Sequence, residues 1–579
     1  MGAPHRRRFR KLQRPGLSRR GFLLSSGALL AVPLLQSCGQ SDAPLTTPPQ
    51  PLPGPLPAPV VVAPTMAAFL HGVASGDPLT DRVILWTRVT TDSTTPVAVD
   101  WLMSETPDLA SPVQTGRFIT SSERDYTIKI DPAGLKSYTA YYFQFSVTLA
   151  DGMVMRSPIG RSKTAPKAGD TDRLRFVSAS CQNMTFGYFN SHSAAVAKAA
   201  DIDAMLFLGD YIYETGGASQ IEGRSPIPAK EITTLSDYRQ RHAQYKTDPD
   251  LQALHRQIPF ICVWDDHETT NNSYRASADN HTEGEEGCWE ERMGWAIRAY
   301  FEWMPIRDNA ATAFDAPTAA ACPGVPLSGY LPEGNGRIVR RFVFGDLVDL
   351  VMLDTRLAAR AVQNGTDIVT PEQTFLGDAQ RAFLLDALST STATWKFIGQ
   401  QMTFAPLKIV PLPEDMGGTF LNSDAWDGYR FDRNAVMSHI ESNAIQNVVV
   451  LSGDTHVVTA FDLPIEPSDP TRYNPVTGEG SLAVEFSNNG VANVGIIGEF
   501  FQANNPHLKY ADLVNQGYLL LDVTTERVQG EYFFTSPAPN VRSAQELFAR
   551  ALICEAGSQR LTLGTLPSSA RSNAPALAP

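Results

Sequence analysis

The sequence predicts an all-β sandwich of the immunoglobulin/fibronectin kind followed by an α/β domain with two mixed sheets flanked by helices. Three observations predict it. Short alternating strands separated by Gly, Pro, Asp and Ser clusters fill residues 67–165. From Leu174 onward, continuous apolar runs alternate with helical stretches, as in sheets covered by helices. Four of those runs end in residues that bind metals: Leu174–Ala179 before Ser180-Cys181-Gln182, Met205–Leu208 before Gly209-Asp210, Phe260–Trp264 before Asp265-Asp266-His267-Glu268, and Asn447–Ser452 before Gly453-Asp454-Thr455-His456. An apolar run of this length reads as a strand buried on both faces, and the C-terminal strand edge is where open α/β sheets place ligands.

Taken in order, the chain opens with a leader. Eight Arg and Lys residues between Arg6 and Arg20 have no acidic residue among them, and an apolar stretch from Phe22 to Leu35 follows. It is too short for a membrane span and reads as a signal peptide over residues 1–42. Ser18-Arg19-Arg20-Gly21-Phe22-Leu23-Leu24 resembles the twin-arginine export signal. Leu35-Gln36-Ser37-Cys38-Gly39 resembles a lipoprotein cleavage box, with Gln36 where a small residue is usual. Lipidation of Cys38 and simple cleavage nearby both remain open. Residues 43–66 form a Pro-rich, nearly uncharged linker that favours extended conformations.

In the sandwich, Arg82–Val89, Val97–Leu102, Tyr126–Ile130 and Ala140–Val147 read as strands. His71 and Asp77 are expected to pack or to cap a turn. The second domain spans 170–540. Phe189–Ala200 and Gln380–Leu388 read as helices, Arg340–Arg356 as a hairpin about Gly345-Asp346, and Tyr518–Val523 and Val528–Phe534 as closing strands. Residues 541–579 form an extension whose Ser, Ala and Pro content after Leu563 predicts partial disorder.

Composition excludes some functions. With 579 residues, 43% apolar content and a formal net charge of -13, the chain is an ordinary globular protein without a basic surface for a stable nucleic-acid partner. It has six cysteines: Cys38 belongs to the leader, Cys181 to the strand-end cluster, and Cys262 reads as a small core residue. An exported protein accommodates one or two disulfides, Cys288–Cys322 among the pairings, but spacing does not fix connectivity.

The strand ends point to a multi-metal hydrolase. Two close cations bind both non-bridging oxygens of a phosphoryl group, lower the pKa of a shared water and hold charge in an in-line displacement. Asp210 suits a bridging position, since one carboxylate touches two cations. A Cys181 thiolate with a Tyr213 phenolate favours iron, whereas Asp266, Asn271 or Asn272 and Asp454 favour a harder cation such as calcium.

These motifs, with Leu353-Asp354-Thr355-Arg356, occur in the order that characterises the alkaline phosphatase D (PhoD) family, which is similar to purple acid phosphatases among calcineurin-like metallophosphoesterases. The resemblance covers roughly residues 67–540 and makes the second domain an α/β metallophosphoesterase domain. It implies Cys181, Tyr213 and His456 on Fe(3+), Asp210 bridging and Asp454 on Ca(2+). Asp265, Asp266 and Asn272 join the expected metal set, the choices between Asp265 and Asp266 and between Asn271 and Asn272 staying open. His267 stands where the relatives have a His that contacts phosphate and protonates the leaving oxygen. Arg356 is expected either to hold a phosphate oxygen or to pair with an Asp; His267 either to act so or to pair with Glu268 or Glu214. The implied activity is an exported phosphodiesterase and phosphomonoesterase acting on nucleic-acid, teichoic-acid or phospholipid fragments. A phospholipase D-like specificity and a non-catalytic surface-anchored binding lipoprotein are the alternatives.

Overall fold

Burial patterns explain the strands. Ala204–Phe207, Pro259–Cys262 and Val448–Ser452 are buried at every residue, so they sit inside sheets covered on both faces. Ala140–Thr148 instead alternates, with Tyr141, Phe143, Phe145 and Val147 buried and Gln144 and Ser146 partly exposed, as a strand with one wet face does. The computed structural model describes residues 61–219, 221–308, 338–363, 368–408, 423–488, 490–492, 505–535 and 539–579. They belong to one unit, Pro59–Pro579. The twin-arginine stretch, Cys38, most of the Pro-rich linker and Cys322 lie outside the described residues.

Two mixed sheets carry the chain from Leu174 onward. The first has 11 strands. At its centre Arg173–Gln182, Ala204–Phe207 and Pro259–Cys262 run parallel, with Ser178 opposite Leu206 and Leu206 opposite Ile261. Antiparallel strands Gly517–Thr524, Arg527–Thr535 and Glu546–Glu555 extend one side. The second has seven strands, with Val348–Met352, Trp395–Gly399, Val448–Ser452 and Ser481–Ser487 parallel in that order. Arg340–Phe344 and Val348–Met352 form the expected hairpin. Phe176, Phe207, Leu350, Phe397, Leu451 and Phe486 belong to a single buried cluster shared by strands of both sheets. Ala204–Phe207, Pro259–Cys262 and Val448–Ser452 end where the chain turns into acidic and imidazole residues.

The N-terminal β unit is less separate than its composition suggests. A five-stranded sheet of Val97–Ser104, Pro112–Thr120, Ala140–Thr148, Val154–Arg156 and Gly160–Lys163 forms one layer. The other layer, Val73–Gly76, Ile84–Arg88 and Thr127–Ile130, continues the 11-stranded sheet, because Val73–Gly76 pairs parallel with Pro259–Cys262. Val73, Leu85 and Ile128 pack with Val97, Val99, Phe143 and Phe145 in one cluster between the layers. His71 packs edge-on against Trp303 at 5.1 Å. Asp77 is no local cap: it takes two bonds at 2.6 Å from Arg340 and one at 2.7 Å from the Arg307 N–H.

Helices bracket the sheets. Asn190–Val196 is shorter than the expected 189–200, the chain tightening into a 3-10 turn at Ala199–Asp201, and Gly377–Thr390 is longer than the expected 380–388. Leu235–Tyr245 opens with a reciprocal Thr234/Asp237 capping box, and Pro249–His255 with an Asp248 cap and Pro at its first turn. Trp289–Trp303 and Arg430–Ser442 complete the longer helices among the described residues. Cys262 is a buried free thiol, and Cys288 is disulfide-bonded.

The C-terminal segment corrects the expectation of disorder after Leu563. The Ser568 N–H donates to Glu531, Tyr142 donates its hydroxyl to the Ala576 carbonyl at 2.6 Å, and Ala578 exchanges two bonds with the Gln257 side chain. Arg571 pairs with Asp203. A segment too polar to build a core is held instead by hydrogen bonds and ion pairs, which composition does not reveal.

Candidate metal centre

Four strand ends deliver the site. The chain leaves Arg173–Gln182 at Cys181, Ala204–Phe207 at Asp210, Pro259–Cys262 at Asp265 and Asp266, and Val448–Ser452 at Asp454 and His456. Cys181, Asp210, Asp454 and His456 all have left-handed backbones, with φ of 56°, 58°, 61° and 59°. Non-glycine residues seldom hold that conformation, and it concentrates where surrounding structure enforces it at functional sites. Two glycines permit the close approach of the strand ends. A Cβ on Gly209 would lie 2.5 Å from the Asp265 Cβ, and one on Gly453 2.6 Å from the Ser180 Oγ.

Three overlapping groups of donors result, each with its ligand atoms within 4.8 Å of one another: Cys181, Asp210 and His456; Asp210, Asp266 and His267; Asp265, Asp266 and Asp454. Tyr213 joins the first, donating its hydroxyl to Asp210 Oδ2 at 2.8 Å with His456 Nε2 at 3.3 Å. Asp210 belongs to two groups, as a bridging carboxylate must.

The electrostatics match the geometry. Burial pushes the Asp210 carboxyl well above its ordinary range, with His267 opposing. Burial likewise raises Cys181, reinforced by Asp210, and Tyr213. Asp454 is raised to about 7 by burial against the pull of Arg356. His456 is lowered to about 4 by burial, which keeps its imidazole neutral and a lone pair free to coordinate. Asp210 Oδ1 and Asp265 Oδ2 are buried with no hydrogen-bond partner. Buried carboxylate oxygens without partners, beside a thiol, a phenol and a neutral imidazole, fit cations that would take up this charge.

A family model described as "PhoD-like phosphatase" matches residues 176–532, and a second, its N-terminal domain, matches 57–166. The chain belongs to the PhoD-like phosphatase family. It is similar to alkaline phosphatase D of Bacillus subtilis (strain 168), 29% identical over 492 residues that cover 81% of this chain and 78% of that protein. A solved structure of PhoD superimposes with a TM-score of 0.75 at 27% identity, covering 86% of this chain and 93% of the other. A purple acid phosphatase from yellow lupin (Lupinus luteus) seeds gives 0.52 at 12% identity, covering 81% and 72%, and shares the fold. As a PhoD-like phosphatase, the protein is a phosphoric ester hydrolase.

In this PhoD-like phosphatase the structure brings together Cys181, Asp210, Tyr213, Asp265, Asp266, Asp454, His456 and His267. Asn272, expected among the metal ligands, contacts the group through its backbone. Its backbone N–H donates to Asp266 Oδ2 at 2.6 Å, while its side chain turns to Asp279 at 2.8 Å. The Asn272 backbone is left-handed, with φ of 53°.

His267 pairs with Glu214, not Glu268: Nδ1 lies 2.6 Å from Glu214 Oε2. The other Glu214 oxygen accepts from the Asn271 N–H at 2.8 Å and the Thr270 hydroxyl at 3.1 Å, and the ring packs on Tyr213 at 4.2 Å. Burial works against the imidazolium, but Glu214, Asp266 and Asp210 outweigh it and raise His267 well above its ordinary range.

Arg356 is fully buried and paired with Asp265, Asp424 and Asp454. Glu268 and Asp424 carry tasks that sequence reasoning missed. Glu268 accepts from the backbone N–H groups of Asp210, Tyr211 and Asp265 at 3.1, 2.6 and 2.8 Å, fixing two strand ends to each other. Asp424 accepts from Arg356 at 3.0 Å and pairs with Arg360. The glutamate stood in plain view within Asp-Asp-His-Glu, but nothing local marks an acceptor of long-range backbone bonds. Gln401 is a similar tie, accepting from Thr355 and donating to the Leu353 carbonyl at 2.9 Å.

Proposed function

We propose that this PhoD-like phosphatase is an exported phosphodiesterase and phosphomonoesterase that holds Fe(3+) at Cys181, Asp210, Tyr213 and His456, and Ca(2+) at Asp266 and Asp454 with Asp265. The observation that carries the reading is the shared position of Asp210 between donor groups of different character. Cys181, Tyr213 and His456 form one group with it, and Asp266 and His267 form the other, with Asp266 in turn joining Asp265 and Asp454. Thiolate and phenolate suit ferric iron, and an all-oxygen set suits calcium. Bound there, the cations supply Lewis-acid polarisation of a phosphoryl group and a nucleophile at moderate pH.

The chain's own residues do the rest. Asp210 and Glu268 keep two strand ends in register, so both donor groups face the same point. Glu214 holds the Nδ1 proton of His267, which orients the ring and leaves Nε2 to hold a proton for the departing alkoxide. Phosphate esters outside the cytoplasm are the substrates, drawn from nucleic-acid, teichoic-acid or phospholipid fragments. The Arg19-Arg20 signal supports export by the twin-arginine machinery, and Cys38 supports a lipid anchor, so the protein acts in the periplasm, on the cell surface or secreted.

The test is metal analysis of the exported protein, together with hydrolysis of bis(p-nitrophenyl) phosphate and p-nitrophenyl phosphate with calcium and with chelator. Iron plus calcium and calcium-dependent diester hydrolysis are expected. Zinc in place of iron, or activity indifferent to chelator, would overturn the metal assignment. Lysine substitutions at both Arg19 and Arg20 are expected to block export, and normal secretion of that variant would overturn the targeting.

A further inference from the structure

The chemistry above gives Arg356 no task, yet Arg356 is the cation most deeply embedded in the site. Its Nε donates to Asp265 Oδ1 at 2.5 Å, and its Nη2 donates to Asp454 Oδ1 at 3.2 Å and lies 3.6 Å from Asp266 Oδ2. These are the three carboxylates whose oxygens converge within 4.8 Å. Its Nη1 reaches Asp424 Oδ2 at 3.0 Å, and the other Asp424 oxygen is held by Arg360. One guanidinium therefore touches every member of the carboxylate group. Asp265 shows how the group is divided. Its Oδ1 is taken by Arg356, while its Oδ2 is buried without a hydrogen-bond partner.

We propose that Arg356 is a resident counter-cation of the Asp265–Asp266–Asp454 group and sets how tightly a divalent cation is held there. The proposal rests on reading that group as a cation site. Ionised, Asp265, Asp266, Asp424 and Asp454 carry four negative charges, and Arg356 and Arg360 return two positive ones. The remaining two match one divalent cation. Without the guanidinium, three converging carboxylates would repel one another when empty and would hold a cation very strongly when filled. With it, the carboxylates stay assembled when empty, and a cation on their open side meets a fixed positive charge behind them. The consequence is a preformed site with moderated, exchangeable affinity. Arg suits this role better than Lys because its planar fork meets several carboxylates at once and stays charged when buried.

Calcium binding to the chelator-treated full-length protein, followed by isothermal titration calorimetry, tests the proposal. Arg356→Gln removes the charge and keeps polar volume, and is expected to tighten calcium binding by about tenfold or more, since a unit charge beside a divalent cation acts strongly at an effective dielectric near ~20. Arg356→Lys, which keeps the charge, is expected to stay within about threefold of the natural chain on the same argument. Asp424→Asn covers the case in which Arg356→Gln fails to fold. It lies outside the three-carboxylate group, frees Arg356 to act on that group alone, and is expected to weaken calcium about tenfold by the same arithmetic. Equal or weaker calcium binding in a folded Arg356→Gln protein, or unchanged affinity in Asp424→Asn, would overturn the counter-cation role. Absence of calcium binding in the natural chain and all variants would instead overturn the cation site beneath it.

Discussion

Arg571→Ala tests whether the C-terminal segment is part of the folded architecture. Arg571 donates from Nη2 to Asp203 Oδ2 at 2.5 Å and from Nη1 to Asp203 Oδ1 at 3.2 Å. Asp203 also accepts from Lys163 at 2.6 Å and from the Arg175 N–H at 2.8 Å. Burial alone would raise the Asp203 carboxyl, but Lys163 and Arg571 outweigh it and hold it down from 3.8 to about 2. Burial pulls Lys163 below its ordinary value, against the sense of the Asp203 shift. The carboxylate governs, because it collects two cations and a backbone N–H while Lys163 faces one carboxylate. A depression of roughly two units at about 1.36 kcal/mol each is worth ~2.5 kcal/mol, and Arg571 supplies part of it. Loss of one partner from a buried pair costs up to ~3–5 kcal/mol. Since Lys163 remains, the variant is expected to lose about 2 kcal/mol of stability at neutral pH.

The sign of the pH dependence follows from the depressed value. The contribution is fully present above the unfolded carboxyl's pKa of 3.8 and is lost as pH falls through the folded value of about 2. Urea unfolding of the natural chain and of Arg571→Ala should therefore differ most at pH 7 and converge between pH 4 and 2. Proteolysis should release the tail of the variant first. A gap below ~0.5 kcal/mol at pH 7, within the range of an ordinary surface substitution, would refute the reasoning, as would a gap unchanged at pH 3.

Glu268→Gln keeps the shape but replaces two accepting oxygens with one, leaving a backbone N–H of Asp210, Tyr211 or Asp265 unpaired; stability should fall by about 1–3 kcal/mol, checked by denaturation, with reduced metal content. Cys181→Ser should lower bound iron selectively while leaving calcium binding, as read by elemental analysis. Glu214→Gln weakens the hold on His267 and should slow esters with poor alkoxide leaving groups about 10–100-fold while sparing p-nitrophenyl esters, whose leaving group needs no proton. Gly453→Ala pushes a methyl into Ser180, against backbone already held by the Gln401 carbonyl at 2.7 Å, and should cost about 1–3 kcal/mol and most of the activity.

What the sequence made legible were the strand ends. A strand buried on both faces must be continuously apolar, and its abrupt finish at Gly-Asp or Asp-Asp-His is visible in one dimension. Tyr213 was legible because it lies three residues beyond Asp210. The Thr234-x-x-Asp237 cap and Asp248-Pro249 were equally readable, and both begin helices that were overlooked. What stayed hidden depends on partners far along the chain. Parallel pairing of Val73–Gly76 with Pro259–Cys262 carries no local mark, and it makes the N-terminal layer continuous with the sheet that bears the site. Arg356 and Asp424 show the same limit, since four carboxylates around one guanidinium come from three segments far from it along the chain.

The strained ligands and the hidden partners belong to one argument. Four donors with left-handed backbones cost of order ~1–3 kcal/mol each, and they gain nothing from one another while their carboxylates repel. Something rigid must hold them before any cation arrives. Glu268 bonds three backbone amides at two of the four strand ends, Gln401 ties the Thr355 turn to the Leu353 carbonyl and accepts from Gly453, and Arg356 offsets the carboxylate charge from behind. None of these three faces an open cleft, and each is almost fully buried. The donors that would meet a cation are therefore supported by residues that do not. Substitutions at Glu268 and Gln401 should lower metal affinity without removing a single ligand atom, as loss of outer partners does at metal sites generally, whereas Arg356→Gln removes an opposing charge and should raise it.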